Sequence, residues 1–121
     1  MIALRGMRAD LRPYAEYAHA IAEHFGITAR VASVHRSWNM QQALYSKHVA
    51  CVQAGRFPSP ECPYPANAPG DSAHQYGLAW DSTVAPEYRQ WWKQVRRWVG
   101  WQVYDHDAPH AELPGWRAVV R

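Results

Sequence analysis

Apolar residues recur near the start of the chain at steps of three and four: Leu11, Tyr14, Ala18, Ile21 and Phe25. That spacing is one stripe of a helix. Asp10 stands where a cap is needed, Pro13 falls in the tolerated first turn, and Gly26 supplies a stop. Ile27 to His35 is rich in β-branched residues and reads as a strand. Trp38 to Ala54 returns to helical spacing, with Met40, Leu44, Cys51 and Val52 as its inner face and Gly55 as its stop. From Phe57 to Gly70 no periodicity holds. Five of the nine prolines lie there (Pro58, Pro60, Pro63, Pro65 and Pro69), marking a long loop of the kind that often carries function.

Leu78 to Thr83 reads as a second strand, and Pro86 opens a third helix. Tyr88, Trp91, Trp92, Val95 and Trp98 form its inward stripe, with Arg89, Lys93, Arg96 and Arg97 on the other side. Gly100 closes this helix, and Trp101 to Asp105 looks like a further short strand. The connections are too irregular for repeated crossover units. The expected class is α+β, a small, mainly antiparallel sheet flanked by about three helices. With no internal repeat or composition break, residues 1–121 read as a single domain.

Composition sharpens this picture. Leu, Ile, Val and Phe make up only about a sixth of the chain, a level at which disorder becomes an option. Seven Trp, seven Tyr and a net charge of only +3 argue for folding instead, around aromatics and alanine. No apolar run approaches the ~18 residues of a membrane span. Met1-Ile2-Ala3-Leu4-Arg5-Gly6 lacks the apolar stretch of a secretory leader, so cytoplasmic synthesis without membrane insertion is expected. An isoelectric point near 9.1 suits an anionic partner such as nucleic acid or bacterial cell wall. No nucleic-acid-binding motif accompanies it, so no nucleic-acid partner is expected. Two cysteines cannot build an all-thiolate zinc site, which leaves any metal to His and carboxylate.

Two segments could hold such a metal. His19, His24 and His48 lie on or beside helices and read as solvated, while His35, next to Arg36 at a strand end, could line a site. His74 sits where a loop becomes a strand, seven residues before Asp81. On one regular strand that odd offset would separate them, but a turn or bulge at Gly77 could re-aim one toward the other. Asp81 alternates with small Ala79 and Thr83, leaving room for an ion. The competing account is a loop histidine and a strand carboxylate that only hydrogen-bonds a turn. The second segment, Tyr104 to Glu112, crowds Asp105, His106, Asp107 and His110 together, with Pro109 discouraging a helix. A zinc-peptidase site needs three protein ligands and a carboxylate outside the first shell. His74, Asp81 and His110 can fill the first role and Asp107 the second. His106 competes with His110 as a ligand, and a solvated acidic loop is the alternative to both.

Ser72-x-His74-x-x-Gly77-x-Ala79-x-Asp81 followed by Asp107-x-x-His110 resembles the zinc peptidases of the D-alanyl-D-alanine carboxypeptidase and L-alanyl-D-glutamate endopeptidase family. Ser33-x-x-Arg36-Ser37, with Gln42 and Leu44-Tyr45 downstream, agrees with it. The resemblance runs in order from about Ile27 to Glu112. It implies zinc held by His74, Asp81 and His110, Asp107 as general base, and Arg36 on the scissile carbonyl. Ser72 is implied as a substrate contact, and Gln42 and His35 are placed with it at the substrate. Two departures touch the pocket: Ala111 where an aromatic is common, and Val34-His35 where Gly-Tyr or Gly-Phe often precedes the arginine.

The resulting expectation is a monomeric, phage-lysin-like zinc peptidase acting on the stem peptide of bacterial peptidoglycan. The segment Ala68-Pro69-Gly70-Asp71-Ser72-Ala73-His74 and the Asp at position 107 resemble the lysin-like members of the family more than the carboxypeptidases, and that resemblance implies the L-alanyl-D-glutamate bond. A D-alanyl-D-alanine carboxypeptidase, and a non-catalytic wall-binding module that kept the fold, are the alternatives. For a protein acting in an oxidising wall compartment, Cys51 and Cys62 are expected to form a disulfide pinning the proline-rich loop, against two free thiols.

Overall fold

The strand Ala79–Thr83 (β2) runs antiparallel between Arg30–Ser33 (β1) and His110–Glu112 (β3), in a computed structural model that describes residues 4–120. Met1, Ile2 and Ala3, half of the segment read for a leader, lie outside the described residues. Helix α1 (Arg12–His24) precedes β1, α2 (Trp38–Gln53) follows it, and α3 (Arg89–Val99) follows β2. A short α4 (Trp116–Val119) ends the chain, and 3-10 turns at Ala73–Tyr76 and Pro86–Tyr88 lead into β2 and α3. The expected α+β architecture with an antiparallel sheet is present.

Alternation along β2 separates two faces. Trp80 and Ser82 are fully buried toward α1 and α3, where Trp92 crosses Trp80 edge-on and donates its indole N–H to Ser82 Oγ at 2.8 Å. Trp101 meets Trp80 at 5.7 Å, also edge-on. Asp81 lies between Trp80 and Ser82 and takes the opposite face, which opens into a cleft. The few aliphatic residues are thus replaced by tryptophans packed against alanines, each indole burying about 200 Å².

That packing explains why several stripes are rotated from the sequence expectation. On α1 the buried residues are Ala15, Ala18, His19 and Ala22, with Leu11 buried just before the helix, while Tyr14 on the helix and Phe25 just after it are exposed. Small side chains face inward because the indoles of Trp80 and Trp92 fill the space above them. Phe25 and Tyr17 instead pair with Trp91 and Trp98 at the rim. Asp10 does not cap α1; its carboxylate is held by Arg8. On α2, Gln41 and Cys51 are buried while Met40, Leu44 and Val52 are exposed, because the inner face meets the proline-rich loop rather than the sheet. Gln41 Nε2 donates to Asn67 O at 2.7 Å, and a disulfide joins Cys51 to Cys62. By loop closure such a bridge contributes roughly 2–3 kcal/mol. On α3, Lys93 and Arg96 are buried beside Trp92 and Val95, whereas Tyr88 and Trp98 are exposed.

Trp101 to Asp105 is not a strand. Only Gln102 bridges to Glu112, and the third strand forms at His110–Glu112 instead. The physical reason is Arg97, whose Nε and Nη2 occupy the carbonyl of Val103 at 3.2 and 2.8 Å.

His19 is buried between Trp80 and Trp92 rather than solvated. Burial is the main cause that lowers its pKa from 6.5 to about 4; the Arg96 charge adds to this and the Ala29 backbone opposes it. A histidine whose folded pKa lies below its unfolded value contributes stability above pH 6.5 and loses it as pH falls toward 4. Between those pH values the wild type should lose up to roughly 3 kcal/mol more than His19→Met, measured by urea unfolding at each pH. Parallel pH dependences in the two proteins would refute this.

Candidate active site

The site begins with a turn that only glycine can make. Gly77 ends the 3-10 turn at φ 71°, and Leu78 N returns to Ala73 O at 3.0 Å. A Cβ on Gly77 would strike the carbonyl of Gly6, and the Gly77 carbonyl accepts from Arg8 N at 3.0 Å. His74 is thereby folded back over the start of β2. Sheet register supplies the rest. Asp81 pairs directly with His110 across β2 and β3, so both side chains leave the same face.

His74 Nε2, Asp81 Oδ1 and His110 Nδ1 form a triangle with edges of 3.1, 3.2 and 3.2 Å. Their side chains are 1%, 13% and 12% exposed. His74 Nδ1 faces the Val34 carbonyl at 2.6 Å, and His110 Nε2 faces Glu112 Oε1 at 2.7 Å. Both of those partners only accept, so each outer ring nitrogen carries the proton. With both rings neutral, the two inner nitrogens present lone pairs to one another and to a carboxylate. Three such donors at this spacing require positive charge at their centre, which a shared proton supplies in the metal-free chain and a metal cation supplies in its place. Tetrahedral ligands at about 2.0 Å from zinc stand about 3.3 Å apart, so the residues present fit that ion.

The electrostatics agree. Burial pushes Asp81 up, yet hydrogen bonds from His110 and His74 and the Arg36 charge outweigh it, holding Asp81 well below the carboxylate range. Burial lowers the His110 imidazolium, but bonds to Asp81 and Glu112 and the Asp107 charge raise it to about 9. The triangle favours positive charge at its centre. Arg36, in the link between β1 and α2, donates from Nη2 to Asp81 Oδ2 at 2.6 Å and from Nη1 to Gln41 Oε1 at 3.4 Å. Its main-chain N also binds His74 O at 3.3 Å. Asp107 lines the cleft, its carboxyl raised first by burial and then by the Asp81 charge, against the opposing histidines.

The remaining expected residues divide. Ser72 is buried at the cleft wall. Gln42 is outside the cleft, bonded to Ser46 on the exposed side of α2, and the glutamine that enters the cleft is Gln41. His35 is also exposed and outside the cleft, against Gly6. His106, the rival ligand, also lines the cleft, its ring tilted against Tyr104 at 5.5 Å, and the His74–Asp81–His110 group is the one metal-compatible cluster among the described residues. Gln41 had a usable signal: with Leu44, His48 and Cys51 it makes a helical 3-4-3 stripe, and all four line the cleft.

The loop that carries Asp107 and His110 is held from behind by α3. Arg96, fully buried over Trp92, donates from Nη1 to Pro109 O at 3.0 Å and from Nη2 to Ala108 O at 2.7 Å. Burial is the chief cause that lowers its pKa to about 10, which leaves it charged at neutral pH. Lys93 and Arg97 reach Asp105. Lys93, Arg96 and Arg97, expected on the side of α3 away from its inward stripe, thus anchor this loop.

A buried, cation-demanding triad beside a desolvated carboxylate defines a metal-dependent hydrolase site. The sequence pattern described as "VanY: D-alanyl-D-alanine carboxypeptidase" matches residues 5–103, and the chain belongs to that family of peptidoglycan peptidases. No curated protein matches the chain by sequence. Among solved structures, it is similar to a mutant of the vancomycin-resistance D,D-pentapeptidase VanY from a VanB-type cassette, in complex with Zn(II). That match has 22% identity and TM-score 0.71, covering 94% of this chain and 76% of the other. DacB from Streptococcus pneumoniae D39 matches at 19% identity and TM-score 0.62, covering 96% and 71%. The L-Ala D-Glu endopeptidase ChiX of Serratia marcescens matches at 20% identity and TM-score 0.58, covering 98% and 87%.

Replacing Arg96 by Ala should cost on the order of 2 kcal/mol in urea unfolding, because the Ala108 carbonyl loses its donor. Arg96→Lys should recover only part, since one ammonium cannot span two carbonyls as the guanidinium fork does. Wild-type stability in the Lys variant would contradict this assignment.

Proposed function

We propose that the chain is a zinc peptidase that cleaves the stem peptide of peptidoglycan, with the bond between L-alanine and D-glutamate as its target. The observation that carries the reading is the triangle of lone pairs at His74, Asp81 and His110, with Asp107 and Arg36 opening into the same cleft. When bound there, zinc supplies a Lewis acid for the scissile carbonyl and acidifies water. Asp107, raised by burial, accepts the proton of the attacking water and returns it to the leaving amine. Arg36 keeps Asp81 oriented through Nη2 and directs its remaining N–H groups at the charge developing on the carbonyl oxygen. Ser72, on the buried wall, contacts the substrate backbone.

One feature of the cleft, which encloses about 310 Å³ and is lined by Lys47, His48, Tyr64, Tyr104 and His106 beside the triad, supports endopeptidase cleavage. Arg36, the one arginine lining that cleft among the described residues, is committed to Asp81 and to the scissile carbonyl, which leaves no arginine there for a terminal carboxylate. The D-alanyl-D-alanine carboxypeptidase reading rests on the family match and on a VanYB structure in complex with D-alanine-D-alanine. The Cys51–Cys62 disulfide supports action in an oxidising compartment, as a lysin-like enzyme has at the wall. The cleft is complete within one chain, which supports a monomer as the working unit.

Digestion of purified peptidoglycan with the zinc-loaded protein, followed by mass spectrometry of new termini, tests the bond. A new D-glutamate amine is expected; free D-alanine without it would establish the carboxypeptidase instead, and intact substrate would leave a binding module. Asp107→Asn should keep one zinc per chain and lose 100- to 10,000-fold in turnover, whereas His74→Ala should lose the zinc. Full zinc in the His74 variant by metal analysis would refute the ligand set.

A further inference from the structure

One largely buried carboxylate has no task in the proposed reaction. Glu112 is 12% exposed and projects from β3 two residues after His110, so both side chains lie on the cleft face of the sheet. Its two oxygens are separately engaged. Oε1 accepts from His110 Nε2 at 2.7 Å, and Oε2 accepts from the Tyr104 hydroxyl at 3.2 Å. Its main chain is pinned independently: Gln102 N donates to Glu112 O at 2.9 Å, and Glu112 N donates to Gln102 O at 3.0 Å. The carboxylate therefore sits where it does through a fixed backbone and a phenol, and offers its free oxygen to one imidazole.

That imidazole differs from His74 in what holds it. His74 is fixed by a main-chain carbonyl, Val34 O, inside the protein. His110 lies on a three-residue edge strand at the end of the loop Asp105–Pro109, and its ring has no main-chain acceptor. If the Nε2 proton moved to Nδ1, the donor facing His74 and Asp81 would be lost. We propose that Glu112, steadied by Tyr104, is the positioning residue that fixes the tautomer and orientation of His110 for metal binding. A carboxylate behind a ligating histidine raises its basicity and holds its ring, and losing such a partner typically weakens metal affinity 10- to 100-fold. Ala111, between the two, is fully buried against β2 and opposite Trp80, which prevents the strand from rolling to re-aim either neighbour.

The proposal rests on the zinc reading of the triad, and the test separates the two. Zinc affinity of the full-length protein is measured by competition with a chromophoric chelator for wild type, Glu112→Ala, Glu112→Gln and Tyr104→Phe. Circular dichroism of each metal-free protein reports the fold. Wild type that fails to bind zinc defeats the zinc reading itself, before any variant is compared. With wild type binding, Glu112→Ala should bind zinc 10- to 100-fold more weakly. Glu112→Gln, which keeps an acceptor oxygen for Nε2–H, should lie within a few-fold of wild type, and Tyr104→Phe should fall between the two. Substitution of cobalt for zinc gives a second readout, since a reoriented imidazole shifts the visible absorption of the bound ion. Glu112→Ala with wild-type zinc affinity overturns the proposal. So does an equal loss in Glu112→Ala and Glu112→Gln when both are folded. Should Glu112→Ala not fold, the Tyr104→Phe and Glu112→Gln affinities decide: a Gln variant weakened 10-fold or more excludes the hydrogen bond as the source of positioning.

Discussion

Three electron-pair donors held about 3 Å apart in a largely buried site repel one another, and the surrounding structure exists largely to keep them there. Each donor is fixed from behind by a different kind of group. A buried carbonyl, Val34 O, turns His74; a guanidinium, Arg36, takes the second oxygen of Asp81; a carboxylate, Glu112, takes the outer nitrogen of His110. Left alone, the three would rotate away or take up protons. Backed in this way, they favour a divalent ion.

Holding the backbone beneath them falls to the tryptophan core and to α3. Trp80 and Ser82 lock β2 against Trp92, so Asp81, the residue between, has no freedom to change face. From the same helix Arg96 reaches through the core to the carbonyls of Ala108 and Pro109, and Ser82 N also binds Pro109 O. Core and site thus share their supports. A buried guanidinium with carbonyl partners is costly to desolvate, and its retention makes sense where a loop bearing Asp107 and His110 must be rigid. On the other side of the cleft the wall is irregular chain, tied to α2 by the disulfide and by Gln41. The proline-rich loop, low in backbone freedom, needs few such ties.

The sequence by itself determined the order of elements as far as α3, the antiparallel class, and the two segments able to hold a metal; the choice of His74, Asp81 and His110 within them came from the family resemblance. Glycine and proline punctuation marks ends whatever the packing, and Ser72 to Asp81 and Asp107 to His110 are local spacings that chemistry restricts. It also offered Gly77 as the place where a turn or bulge could bring His74 and Asp81 together. What only the tertiary structure decided was which face each helix buries. Indoles large enough to fill the interlayer space put alanines inward on α1 and left Tyr14 and Phe25 outside, a choice invisible to a count of apolar positions. For the same reason His19, Lys93 and Arg96 became buried, Gln41 replaced Gln42 in the cleft, and the strand expected at Trp101 to Asp105 gave way to His110–Glu112. Each of these depends on a partner far away in the chain, such as Trp80, Asn67 or Arg97, and long-range partners leave no periodic trace near the residues they rearrange.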